Sequence, residues 1–154
     1  MEVWEREIIK ASRILIVDDN PDNLDILFNF LNNAGYCVLA ARDGEQALRS
    51  IQLEQPALAL LDIHMPGMDG YELARRIKSL PGAAKLPLIF ISALHDSYNK
   101  KQALELGAAD YLDKPVQNDD LQFRVANVLL LDWYRRQYQN NKTAVDAAAK
   151  DLRL

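Results

Sequence analysis

At 154 residues the chain has room for one domain and an appendage. Its 49% apolar and 26% charged residues are the balance of an ordinary globular protein with a sizeable core. A formal net charge of −4, with no basic stripe, argues against direct nucleic-acid binding and against adsorption to an anionic membrane.

Residues 1–11 read as a short helical lead-in, and MEVWEREIIK is too charged for a signal peptide. No apolar run approaches the ~18 residues of a spanning helix, so the expected location is cytoplasmic. RILIV, residues 13–17, has the length and continuous apolarity of a strand covered on both faces. It ends in Asp18 and Asp19, and Pro21 then suits a first helical turn because its missing N–H is not needed there. Leu24, Leu27, Phe28 and Leu31 recur at helical spacing, and Gly35 is a stop signal. A second strand follows at 36–41. Cys37 within it cannot form an internal disulfide and reads as a buried core thiol in a reducing compartment. Asp43 can cap a second helix carrying Ala47, Leu48 and Ile51.

The third strand, 57–61, is followed by Asp62, a Pro-Gly turn, and a helix over about 70–80 with Leu73, Ala74 and Ile77 inward. LPLIFI predicts a fourth strand at 86–91, ending at Ser92. A fourth helix over about 97–106 is closed by Gly107. A short fifth strand, 109–112, leads into Asp113, Lys114 and Pro115, and a fifth helix starts near Asn118. Strands alternating with helices through short connections predict a doubly wound α/β domain with a five-stranded parallel sheet and right-handed crossovers.

In such a sheet, ligand chemistry sits outside the carboxyl ends of the strands. Those ends carry Asp18 and Asp19, Asp62, Ser92 and Lys114 in turn. With strand order 2-1-3-4-5, the three carboxylates converge in one cleft and repel one another unless a cation sits among them. Hard oxygen donors suit Mg²⁺, which also ligates phosphate oxygens. Ser92 and Lys114 can hold further phosphoryl oxygens, and Asp62 can carry a phosphoryl group as an acyl phosphate. Plainer readings exist for each residue. Asp18, Asp19 and Asp62 could be helix caps. Ser92 could cap the fourth helix, although Ser97 is better placed, and Lys114 could be a solvated surface lysine. Four functional groups at successive strand ends favour shared chemistry.

ILIVDDNPDN, LLDIHMPGMDG, the Ser-Ala pair after LPLIFI, and YLDKP together resemble the receiver domain of two-component response regulators. The resemblance covers about residues 12–131 and implies a flavodoxin-like fold of order 2-1-3-4-5. It implies that Asp62 is the phosphoacceptor and that Asp18 and Asp19 form the acidic pair. Mg²⁺ would be bound by the side chains of Asp19 and Asp62, by the backbone carbonyl of His64, and by Asp18 through water. Ser92 matches the switch hydroxyl and Tyr111 the switch aromatic. Lys114 matches the phosphate-binding lysine, with a cis bond to Pro115. The implied partner is a histidine kinase or phosphotransfer protein whose phosphohistidine supplies the phosphoryl group. The phosphorylated state would then change the face made by the fourth helix, fifth strand and fifth helix. No independent enzyme activity is expected beyond self-catalysed phosphorylation and dephosphorylation.

Three alternatives remain open from sequence. The chain could be the receiver module of a hybrid kinase or multidomain effector. It could be a structural pseudo-receiver, although none of the usual residues is missing. It could be an FMN-binding flavodoxin-like protein, although DDNPD offers carboxylates where a phosphate needs neutral donors.

Residues 132–154 form a helical linker or dimerisation extension, since no Gly or Pro follows Pro115. A seven-residue repeat can be threaded through Val128, Leu131, Arg135, Tyr138, Lys142, Val145, Ala149 and Leu152, interrupted by Arg135 and Lys142. A short coiled coil and a solvated helix fraying after about Gln139 both fit. Trp133, Tyr134 and Tyr138 look exposed. A homodimer could use either this helix or the face of the fourth helix, fifth strand and fifth helix.

Overall fold

The computed structural model describes residues 2–93 and 97–152. Met1, residues 153–154 of the extension, and the side chain of Ser97 with its proposed capping role lie outside the described residues. The elements are α1 (Val3–Ala11), β1 (Arg13–Val17), α2 (Pro21–Asn33), β2 (Cys37–Ala41), α3 (Gly44–Glu54), β3 (Leu58–Asp62), α4 (Gly70–Ser79), β4 (Leu88–Ala93), α5 (Ser97–Glu105), β5 (Asp110–Lys114) and α6 (Asn118–Asp151).

The strands pair in parallel in the order β2-β1-β3-β4-β5, as expected. Side-chain alternation along each strand divides the core into two layers. Ile14, Ile16, Leu58, Leu60, Ile89 and Ile91 face α2 and α6. Leu15, Val17, Leu61 and Phe90 face α3, α4 and α5. β1, β3 and β4 are thus covered on both sides, which is why their sequences are continuously apolar rather than alternating.

Local chemistry sets the helix starts. The Asn20 side chain accepts hydrogen bonds from the N–H groups of Asp22 and Asn23, with Pro21 in the first turn. Asp43 caps α3 through the N–H of Gln46, and Asp69 caps α4 through that of Glu72. Neither Asp18 nor Asp62 is therefore the N-cap of the helix that follows it.

Three expectations change. β4 starts at Leu88 because Pro87 has no N–H to donate to a ladder, and it runs through Ser92 to Ala93. β5 likewise extends through Lys114, so both functional groups sit within strands rather than beyond them. Cys37 is exposed, not a core thiol. It is the first residue of an edge strand whose single ladder neighbour is β1, opposite Arg13.

α6 spans 34 residues, ~51 Å at the helical rise. Leu121, Val125, Val128 and Leu129 pack it onto the sheet, and no residue after Leu129 is buried among those described. The backbone does not fray after Gln139 but stays helical to Asp151. α1 packs where α6 leaves the sheet. Ile9 is buried in the α2–α6 layer. The Trp4 ring lies 5.0 Å from Trp133 and 5.8 Å from Tyr134. Two of the aromatics that look exposed from sequence are thus partly covered by the chain's own amino-terminal helix. Among the described residues, no helix is long and apolar enough to cross a membrane.

Candidate functional site

Parallel pairing sets the ends of β1 and β3 side by side, with Val17 opposite Leu61, and this brings Asp18 next to Asp62. Both carboxylates are buried, at 2% and 3% exposure, while Asp19 is more open. Oxygens from Asp18, Asp19 and Asp62 all lie within 4.8 Å of one another. Lys114 reaches in from the end of β5. Its Nζ is 3.1 Å from Asp62 Oδ1 and 3.7 Å from Asp18 Oδ2.

Backbone donors fix the carboxylates further. Asp18 Oδ1 accepts the N–H of Asn20 at 2.9 Å, and Asp62 Oδ1 accepts that of His64 at 3.3 Å. Burial raises the Asp62 pKa above the usual carboxylate value, and the neighbouring Asp18 charge raises it further. The Lys114 ammonium and the His64 N–H pull in the opposite direction. Three carboxylates share one ammonium, so two formal negative charges are left unbalanced in a largely dry corner. That donor set, hard oxygens with an excess of negative charge, fits a divalent cation such as Mg²⁺.

The remaining predicted residues lie on the neighbouring strands β4 and β5 and on the turn after β3. Ser92 is fully buried near the end of β4, in register with Asp113. Tyr111 lies on β5 in register with Phe90, half-buried and packed against the core. The His64 side chain is exposed beside the turn after β3. A cleft of about 540 Å³ opens next to it, lined by Ile63, Met65, Pro66, Asp69, Tyr71 and Gln102. The Lys114–Pro115 bond is cis.

Two contributors escaped the sequence reading. A Cβ on Gly70 would lie 2.4 Å from the Asp62 carbonyl oxygen and 2.8 Å from Ile63 Cα, and the Gly70 N–H donates to Ile63 O at 2.9 Å. The start of α4 thus rests directly on the end of β3, and only the absence of a side chain permits that approach. Sequence showed a glycine opening a helix but not what it touches. Lys100 of α5 pairs with Asp113 at 3.3 Å and sits 5.4 Å from the centre of the Tyr111 ring. It carries no motif signal because lysines on helix surfaces are common.

The family model for the response regulator receiver domain matches residues 14–126. Response regulator PleD of Caulobacter vibrioides is 36% identical over 144 residues, covering 90% of this chain and 32% of that protein. A CheY-like response regulator receiver domain protein from Methanospirillum hungatei superposes with a TM-score of 0.74 at 32% identity, over 80% of this chain and 98% of that one. The receiver domain of a sensor histidine kinase from Pseudomonas aeruginosa, with a magnesium ion coordinated in its active-site cleft, superposes with a TM-score of 0.71. Its identity is 31%, over 77% of this chain and 97% of that one. The chain spans about half of the transcriptional regulators ycf27 of Cyanophora paradoxa and PhoP of Bacillus subtilis and about a third of PleD, but 79% of a 14.6 kDa protein of Leptolyngbya boryana that is 41% identical over 103 residues. On sequence, strand order and family match together, the chain belongs to the response regulator receiver domain family of two-component signalling.

Proposed function

We propose that Asp62 accepts a phosphoryl group from the phosphohistidine of a histidine kinase or phosphotransfer protein, and that this drives a switch on the α5–β5–α6 face. The supporting observation is a buried carboxylate at the end of a central strand, held against a second carboxylate and one ammonium. An Asp62 oxygen attacks phosphorus as the phosphorus–nitrogen bond to imidazole breaks, leaving an acyl phosphate and a free histidine on the donor. Asp18, Asp19 and Asp62, with the His64 carbonyl, would hold Mg²⁺, which when bound neutralises charge on the transferring phosphoryl group. Lys114 is near enough to Asp62 to exchange a carboxylate oxygen for a phosphoryl oxygen without leaving the site. The other strand-end hydroxyl, Ser92, is the candidate partner for another phosphoryl oxygen.

The switch reading follows from the register. Ser92 pairs with Asp113, between Tyr111 and Lys114 along β5, so only β4 lies between the phosphorylated carboxylate on β3 and Tyr111 on β5. Lys100 ties that ring and Asp113 to α5. Movement of Ser92 towards the phosphate would bias how α5, β5 and α6 sit together.

The short coverage of relatives supports a second reading, that this receiver serves a larger hybrid kinase or multidomain effector. Homodimerisation through the α5–β5–α6 face or through α6 is compatible with either. An FMN-binding role gains nothing from a cleft of three carboxylates, which would repel the ligand's phosphate. Titrating the chain with Mg²⁺ by calorimetry tests the assignment. Binding is expected in the parent and lost in Asp19→Asn, and equal binding by both would remove the acidic pair from the site.

A further inference from the structure

The exposed part of α6 carries an apolar stripe in a different frame from the repeat threaded through Arg135 and Lys142. Val128 cannot belong to a second-copy seam, because it is buried against the sheet. Leu131, Tyr138, Val145 and Leu152 recur every seven residues and are all exposed. Tyr134, Asn141 and Ala148 lie between them and are also exposed. The steps from 131 to 152 run 3, 4, 3, 4, 3, 4, the spacing of two alternating seam positions on one helix face. Arg135 and Lys142 then flank the stripe and no longer interrupt it.

α1 does not cover this stripe along its length. Its Trp4 reaches Trp133 and touches the edge of Tyr134, so the face from Tyr138 onward lies beyond that contact. From Tyr138 to Leu152, two heptads of helix, ~22 Å at the helical rise, are left with apolar side chains in water.

We propose that this face pairs with the same face of a second copy, in parallel and in register. Two features select that occupant. Asn141 is the one polar residue in the stripe. Opposite another Asn141 its amide finds a donor and an acceptor, whereas a parallel helix staggered by one seam position would set it against Tyr138 or Val145. Charge gives the same answer. In a parallel pair, Arg135 and Lys142 face the neutral Leu130 and Gln137 of the second copy. An antiparallel pair aligned over the same residues brings the two Lys142 ammonium groups together. Tyrosines in place of leucines at Tyr134 and Tyr138, with one asparagine, make the pair a weak one that can respond to what the receiver domains do. This inference requires a second copy but not phosphoryl transfer, so its tests use the unphosphorylated chain, and a failure to label Asp62 leaves it standing.

Sedimentation of the full chain at rising concentration should show a monomer–dimer equilibrium that Val145→Glu abolishes, with helical content unchanged. Asn141→Leu fills the seam and should tighten the pair by about tenfold or more, whereas Lys142→Leu, outside it, should change it by less than about threefold. With the exposed Cys37 removed as Cys37→Ser, an Ala148→Cys chain should oxidise to a covalent dimer through Cys at that position. A chain that stays monomeric at high micromolar concentration even as Asn141→Leu overturns the proposal. So does a dimer indifferent to Val145→Glu, tightening by Lys142→Leu rather than Asn141→Leu, or no cross-link at position 148.

Discussion

The carboxyl edge of the sheet and the outer half of α6 are built on opposite terms. At the edge, Asp62 leaves a strand buried along its whole length, and Lys114, His64 and Asn20 hold the carboxylates in place. Beyond Leu131, no described residue of α6 is buried, and an aromatic cluster ties it to Trp4 of α1. The first region is specified by a rigid frame that tolerates little change. The second is held by its own helical hydrogen bonds and by a hydrophobic clasp to α1.

That contrast can be broken experimentally. The largest effect is expected from Gly70→Ala, because the new methyl meets the β3 backbone instead of a flexible side chain. A loss of about 1–3 kcal/mol in urea unfolding is expected, together with slower labelling by acetyl phosphate. Unchanged stability and labelling would mean the edge is looser than its contacts imply. Trp4→Ala addresses the other region. Losing the contacts to Trp133 and Tyr134 should cost about 1–2 kcal/mol and expose α1 to proteolysis, while labelling proceeds at the parent rate. A labelling defect would show the two regions to be coupled.

Lys114→Ala sharpens the account of charge at the edge. It removes the ammonium beside two buried carboxylates, but its side chain is one-third exposed, so solvent screens part of the loss. A destabilisation of about 1 kcal/mol without metal, recovered in part by Mg²⁺, is expected from thermal melts. Lys100→Ala should be the mildest, within about 0.5 kcal/mol, since the Asp113 pair is largely solvated. Its readout is Tyr111 mobility by NMR, which should rise when the ammonium over the ring is gone.

The legible parts of the sequence were those where one physical reason acts locally. Continuous apolar runs marked strands covered on both faces, and their ends displayed Asp18, Asp62, Ser92 and Lys114, whichever turn followed. What stayed hidden depends on contacts between distant residues. A five-residue apolar run does not say whether its strand has one neighbour or two, and Cys37 was misplaced for that reason. Trp4 and Trp133 are brought together only by the fold. Gly70 looked like a helix start because nothing local reveals the Asp62 carbonyl against its Cα. The α6 stripe needed the structure to remove Val128 from the repeat before the frame through Tyr134, Asn141 and Ala148 became visible.

The central claim is that Asp62 is the phosphoacceptor at the rigid edge. Incubating the chain with acetyl phosphate and Mg²⁺ and measuring its intact mass tests this most directly. The parent chain should gain one phosphoryl group, lost on raising the pH as an acyl phosphate is, and Asp62→Asn should gain none while keeping its fold by circular dichroism. Stoichiometric labelling of the Asp62→Asn chain would contradict the account.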